Sequence, residues 1–163
     1  MNQNHFPQAL YSQILPGLWQ GGTRDHDVVG SRNPQPVTKA EFDTVVTCYG
    51  SASPADWGVR EYRLGFYDGD MRDFDPMVDL LPLVAQAHQD WKSGKKVLIR
   101  CQAGLNRSGL VMALVLMRDG YSPEEAIDLI RAQRGPDALF NRTFTKWLIN
   151  DAHPSFWNAP LAA

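Results

Sequence analysis

Residues 97–109 of this 163-residue chain read Val-Leu-Ile-Arg-Cys-Gln-Ala-Gly-Leu-Asn-Arg-Ser-Gly, and no other stretch constrains the fold as tightly. Val97, Leu98 and Ile99 form the short apolar run expected of a fully buried strand. Cys101 follows the strand, Gly104 marks a tight loop, and an apolar helical pattern runs from Arg107 to Arg118. A buried strand that passes through a short loop straight into an apolar helix is half of a parallel crossover unit. The expected class is therefore α/β.

The remaining segments fit that class. Residues 14–22 read as a hairpin closed by Pro16-Gly17, 44–49 as a buried strand, and 59–64 as a strand with imperfect alternation. Residues 38–42 are expected as a short helix, and 23–36 as a long polar loop rich in Gly, Asn, Pro and Asp. Residues 68–76 read as an acidic loop. Helical spacing covers 76–92, where Pro82 marks a kink or a late start. Ser122-Pro123-Glu124-Glu125 is a capping box that opens a helix to about Arg134, stopped by Gly135-Pro136. A last helix runs from near Asn141 to Asp151. The expectation is one domain over residues 1–163, with its core in 12–150 and tails at both ends. Its sheet is mostly parallel and twisted, with about four to five strands flanked by helices.

The loop after Cys101 carries chemistry. A thiol near its ordinary pKa is mostly protonated at neutral pH, and only the thiolate attacks. The start of a helix supplies converging backbone N–H groups and the positive end of a dipole, which lower a thiol pKa and bind a phosphate dianion alike. Gly104 lets the backbone curl without a Cβ clash. Arg107 offers a planar fork matched to two phosphate oxygens. Ser108 can donate its hydroxyl to the sulfur. A buried structural cysteine beside a surface arginine is the plain alternative for Cys101 and Arg107. The strand before, the glycine within and the helix after favour the catalytic reading.

Composition excludes several other classes. The chain is 44% hydrophobic and 21% charged, with a net charge of −2, so it lacks the basic surface of a nucleic-acid or anionic-membrane binder. No apolar run approaches the ~20 residues that span a bilayer. Residues 1–8 have no basic-then-apolar leader pattern. Two cysteines, Cys48 and Cys101, are too few for a disulfide scaffold and suit a reduced cytoplasmic setting. His5, His26, His88 and His153 show no ligand spacing, Asp25-His26-Asp27 reads as a solvated loop, and neither metal nor cofactor is expected.

With these residues in view, the chain resembles the protein tyrosine phosphatase superfamily in its dual-specificity branch. The likeness extends from the Cys-x5-Arg-Ser loop to the opening strand pair at 14–22, the strand at 44–48 and the segment 62–69. It includes the closing helices at 131–148, where Asn141 and Phe144 stand as Asn-x-x-Phe. The resemblance implies a metal-independent phosphatase acting on phosphotyrosine, and on phosphoserine or phosphothreonine if its pocket is shallow. Its partners would be a phosphorylated protein or a small phosphate ester. Cys101 would be the nucleophile and Ser108 the hydroxyl that eases thiolate departure. Arg107 would clamp the phosphate, and Gln102, Ala103, Gly104, Leu105 and Asn106 would ring it with backbone N–H groups.

The resemblance also implies an aspartic acid on a separate loop, some thirty residues before the cysteine. Asp68 lies 33 residues before Cys101 and Asp70 lies 31 before, so spacing leaves both open, with Asp73 further off. The context Phe66-Tyr67-Asp68-Gly69 favours Asp68. One departure stands out: Arg100 occupies the place of the family's usual histidine, and an arginine cannot reproduce imidazole geometry. A phosphate-binding module without turnover is therefore a competing reading, as is an RNA 5′-triphosphatase, whose members share Asn-Arg before a hydroxyl residue. Asn141 caps the last helix or braces the active loop. Cys48 is a core residue or a second thiol that traps oxidised Cys101.

Overall fold

The computed structural model describes residues 9–23, 36–152 and Trp157. Five strands, β1 (Tyr11–Leu15), β2 (Leu18–Gly21), β3 (Thr44–Thr47), β4 (Arg60–Arg63) and β5 (Val97–Arg100), form one sheet in the order β1-β2-β5-β3-β4. β1 and β2 pair antiparallel, and every other neighbouring pair is parallel. Among the described residues, four α-helices flank the sheet: α1 (Leu81–Lys92), α2 (Arg107–Arg118), α3 (Pro123–Arg134) and α4 (Arg142–Asn150). This is the α/β architecture expected from the strand–loop–helix run.

β5 lies at the centre of the sheet, and all four of its residues are buried. Alternation along the strands divides the interior in two. Val97 and Ile99 of β5 and Val46 of β3 join the large cluster formed with α1, α2 and α3. Leu98 and Val45 face the other way, into a smaller cluster with Val37 and Phe42. Ten consecutive residues of α2, Ser108 to Met117, are buried. A helix enclosed on every side is held rigidly, which matters because its first turn carries Arg107 and Ser108.

Three local expectations need correction. Residues 38–42 make a single turn rather than a helix: the Glu41 and Phe42 N–H groups both bond the Thr38 carbonyl, and the chain then enters β3. The helical pattern over 76–92 divides into a wider π-type turn, Pro76–Leu80, and α1 proper. Pro82 falls in the first turn of α1, where a missing N–H costs little, so the proline marks a late start. The acidic loop contains one 3-10 turn, Met71–Asp73, capped by Asp70. Most of the 23–36 loop, including Asp25-His26-Asp27, lies outside the described residues.

Candidate functional site

Cys101 stands one residue past β5, with its N–H bonded to the Gly21 carbonyl at 3.1 Å. It lies on the helix-covered side of the sheet and is 2% exposed. The loop beyond it is held from behind by its carbonyls. Those of Gln102, Leu105 and Asn106 accept the N–H groups of Thr23, Leu139 and Leu110. The Ala103 carbonyl accepts from Arg134, and that of Gly104 from both Arg134 and Gln20. In a planar trans peptide the next N–H points opposite to the carbonyl. Fixing these carbonyls outward therefore turns the N–H groups of residues 103–107 the other way. Gly104 is required here on two counts: its φ is +75°, and a Cβ would lie 2.5 Å from Arg134 and from the Gly21 backbone.

Ser108 Oγ lies 3.3 Å from Cys101 Sγ. The same oxygen accepts from Gln20 Nε2 at 3.3 Å, which leaves the hydroxyl hydrogen free to face the sulfur. Arg107 donates to the Phe66 carbonyl at 3.3 Å and stacks over Tyr49, 5.2 Å from the ring centre. Its buried Nε–H has no partner among the described residues. An orphaned charged donor of this kind is costly unless a ligand satisfies it.

The acidic loop brings one candidate aspartate to this loop and turns the other away. Asp68 Oδ2 accepts from Asn106 Nδ2 and Asp68 Oδ1 from Asn141 Nδ2, both at 2.8 Å. Asp70 instead caps the 3-10 turn and pairs with Arg72 at 2.8 Å; the Arg72 guanidinium and N–H hold it below the usual carboxylate range. Asp68, Cys101, Gln102, Ala103, Leu105, Asn106, Arg107 and Phe140 line one cavity of about 380 Å³, with Phe140 exposed at its rim. Asn141 does both things considered for it. Its Oδ1 caps α4 through the N–H groups of Thr143 and Phe144, while its own N–H bonds Asn106 Oδ1 in the loop after Cys101 and its Nδ2 reaches Asp68 and the Gly69 carbonyl.

Arg100 does not face the sulfur. Successive residues of a strand point to opposite sides, so its side chain lies on the far face of the sheet. There it donates to Thr47 Oγ1 (3.0 Å), the Ser53 carbonyl (2.7 Å) and Glu61 Oε2 (3.3 Å). Burial raises the Glu61 pKa, but the Thr47 hydroxyl, the Ala55 N–H, Arg63 and Arg100 together outweigh it and hold the carboxyl below its ordinary value. This buried network fastens the 49–55 loop, whose Tyr49 stacks on Arg107. Cys48 is wholly buried and follows Thr47, the register partner of Arg100, so it stands beside Cys101 in the parallel register. Burial first, and the neighbouring Cys101 second, push the Cys48 thiol far up.

Two residues that position this site went unrecognised in the sequence. Gln20 carried a usable signal: it shares its side of β2 with the buried Leu18, so a polar side chain occupies a core position. Arg134 carried none, because an arginine in a helix's last turn ordinarily complements the dipole. It is 4% exposed and also donates to the Ala9 carbonyl and Ser12 Oγ, joining β1 to the loop. Burial lowers its pKa to about 10, with the Cys101 sulfur opposing that shift. Arg134→Met is expected to cost about 2–4 kcal/mol of unfolding free energy, because several buried carbonyls lose a charged donor. Urea denaturation checks this; a loss below about 1 kcal/mol would mean the loop holds its shape without the guanidinium.

Among the described residues, no helix is long and apolar enough to cross a membrane, and no three His, Cys, Asp or Glu side chains are placed to hold a metal ion. The family model of the dual specificity phosphatase catalytic domain matches residues 35–152. Mouse dual specificity protein phosphatase 12 is 30% identical over 135 residues, which is 81% of this chain and 38% of that protein. The chain spans less than half the length of the curated relatives it matches. Human DUSP28 shares the fold, with a TM-score of 0.66 at 23% identity, over 86% of this chain and 90% of that one. The structure of Tk-PTP in its active form gives a TM-score of 0.65 at 25% identity, covering 85% of this chain and 93% of the other.

Proposed function

The chain belongs to the dual specificity phosphatase catalytic-domain family, and from that premise we propose that it hydrolyses phosphotyrosine, and phosphoserine or phosphothreonine, through a phosphocysteine. The observation that carries this reading is the convergence on one cavity of Cys101, the outward-held loop, Arg107 and Asp68.

In the first step the Cys101 thiolate attacks phosphorus. The S–P bond forms, the P–O bond to the substrate breaks, and the departing oxygen takes the proton of Asp68. In the second step a water oxygen attacks phosphorus and passes its proton to the Asp68 carboxylate. The S–P bond breaks, and the thiolate leaves with the Ser108 hydroxyl donating to it. Arg107 and the loop N–H groups of residues 103–107 hold the phosphoryl oxygens throughout and bind more tightly as charge spreads over them. The Nε of Arg107, unpartnered among the described residues, supports this role.

Three further features complete the reading. Residues 1–163 make one catalytic domain with its core in 12–150. The substrate is a phosphorylated protein or a small phosphate ester. A cytoplasmic setting is consistent with Cys48 and Cys101 both being free thiols. Arg100, bonded on the far face of the sheet, gives no support to a binding module without turnover.

Release of phosphate from p-nitrophenyl phosphate in EDTA tests the proposal directly; folded wild-type protein without turnover on this ester or on phosphotyrosine peptides would refute it. Asp68→Ala is expected to lower kcat on phosphotyrosine peptide by about 10²-fold or more, with little change in peptide binding. If Asp70→Ala shows that loss and Asp68→Ala does not, the acid lies at Asp70.

A further inference from the structure

Asn106 differs from its loop neighbours in what its side chain does. It is 3% exposed and uses both ends of its amide. Nδ2 donates to Asp68 Oδ2 at 2.8 Å, and Oδ1 accepts the Asn141 N–H at 2.9 Å. Asn141 closes the triangle through Nδ2, which donates to Asp68 Oδ1 at 2.8 Å and to the Gly69 carbonyl at 3.1 Å. Three separate pieces of chain, the Cys101 loop, the acidic loop and the start of α4, thus meet at one carboxylate.

We propose that Asn106 is a positioning residue that holds Asp68 in register with the phosphate cradle. The inference rests on the reading of Asp68 as the proton donor. Asn106 immediately precedes Arg107, so the group that orients the acid and the group that clamps the phosphate are joined by a single peptide. Asp68 itself sits on an exposed loop, where an unsecured side chain would sample many rotamers. A misplacement of about 1 Å at a reacting group can cost roughly 10²-fold in rate. Each carboxylate oxygen accepts one amide hydrogen and keeps a second lone pair. Asp68 can therefore carry or release its proton without leaving the triangle. The Asn141 amide alone does not tie the acid to the cradle, because Asn141 belongs to the cap of α4.

A series of aryl phosphates, from dinitrophenyl to phenyl phosphate, separates this role from a merely structural one. A strongly acidic phenol leaves with little help from a proton donor, whereas phenol itself needs one. Asn106→Ala is expected to lose about tenfold more kcat/KM on phenyl phosphate than on dinitrophenyl phosphate. In an Asp68→Ala background the same substitution should add no further dependence on the leaving group. An equal loss on every ester would overturn the inference and leave Asn106 as a shaper of the cradle alone. Should Asp68→Ala itself lose rate equally on every ester, the assignment of Asp68 falls, and the inference with it. If Asn106→Ala does not fold, Asn106→Ser supplies the same comparison, because a serine hydroxyl is too short to span the contact.

Discussion

Cys101→Ser is expected to lower phosphate release from p-nitrophenyl phosphate by at least about 10⁴-fold, while the protein stays folded and still binds inorganic phosphate. A serine hydroxyl needs a general base to attack, and the residues lining the cavity supply no imidazole. Loss of a nucleophile costs other covalent hydrolases about 10⁶-fold, so the expected loss is well inside the known range. The fold tolerates the change because sulfur and oxygen are close in shape and Ser108 Oγ remains a partner 3.3 Å from the position of the sulfur. Phosphate affinity is kept or increased, since a dianion no longer faces a thiolate. Turnover in EDTA and calorimetric titration with phosphate measure the two halves. Turnover that survives the substitution would remove Cys101 from the chemistry.

Arg107→Lys is expected to lower kcat/KM by about 10³-fold, although the charge is retained. The guanidinium is held in place by the Phe66 carbonyl at 3.3 Å and the Tyr49 ring at 5.2 Å, so its fork is already oriented. An ammonium is a compact point charge that matches neither the stack nor two phosphate oxygens at once. Removing a pre-placed donor to a developing oxyanion typically costs about 10²–10³-fold, and a bidentate group supplies two donors. The loss should fall mainly on kcat, because the charge that lysine retains still attracts the dianion in the ground state. Steady-state kinetics on phosphotyrosine peptide settle the point; a loss of less than tenfold would show that charge alone suffices.

The parts of this molecule legible in the sequence are those set by local spacing. Val97, Leu98 and Ile99 specify a buried strand, the residues after Arg107 a buried helix, and their junction a parallel sheet. Ser122 and Glu125 form the expected capping box. The helix expected at 38–42 fails because one turn does not repay the cost of nucleation before β3 begins. Pro82 pointed to a break, but the wider turn at Pro76–Leu80 depends on the Asp75 cap and on packing of Leu80 and Leu81.

Within the site, the sequence by itself determined the candidate nucleophile, the candidate clamp and the glycine between them, because all lie on one loop of seven successive residues, 101–107. Residues that act across the fold were decided only by the tertiary structure. Gln20 reaches Gly104 across 84 positions and Arg134 reaches it across 30. The proposal of Asp68 rather than Asp70 as the acid, two residues apart, rests on which carboxylate the Asn106 and Asn141 amides meet. Arg100 likewise took its meaning from strand parity and from a Thr47–Glu61 partnership on the far face of the sheet. Short-range patterns encode helices, turns and caps because their hydrogen bonds close within a few residues, and they mark a buried strand by its apolar run, although its ladder bonds reach distant residues. A hydrogen bond between distant residues depends on where the packed sheet and helices place its two ends.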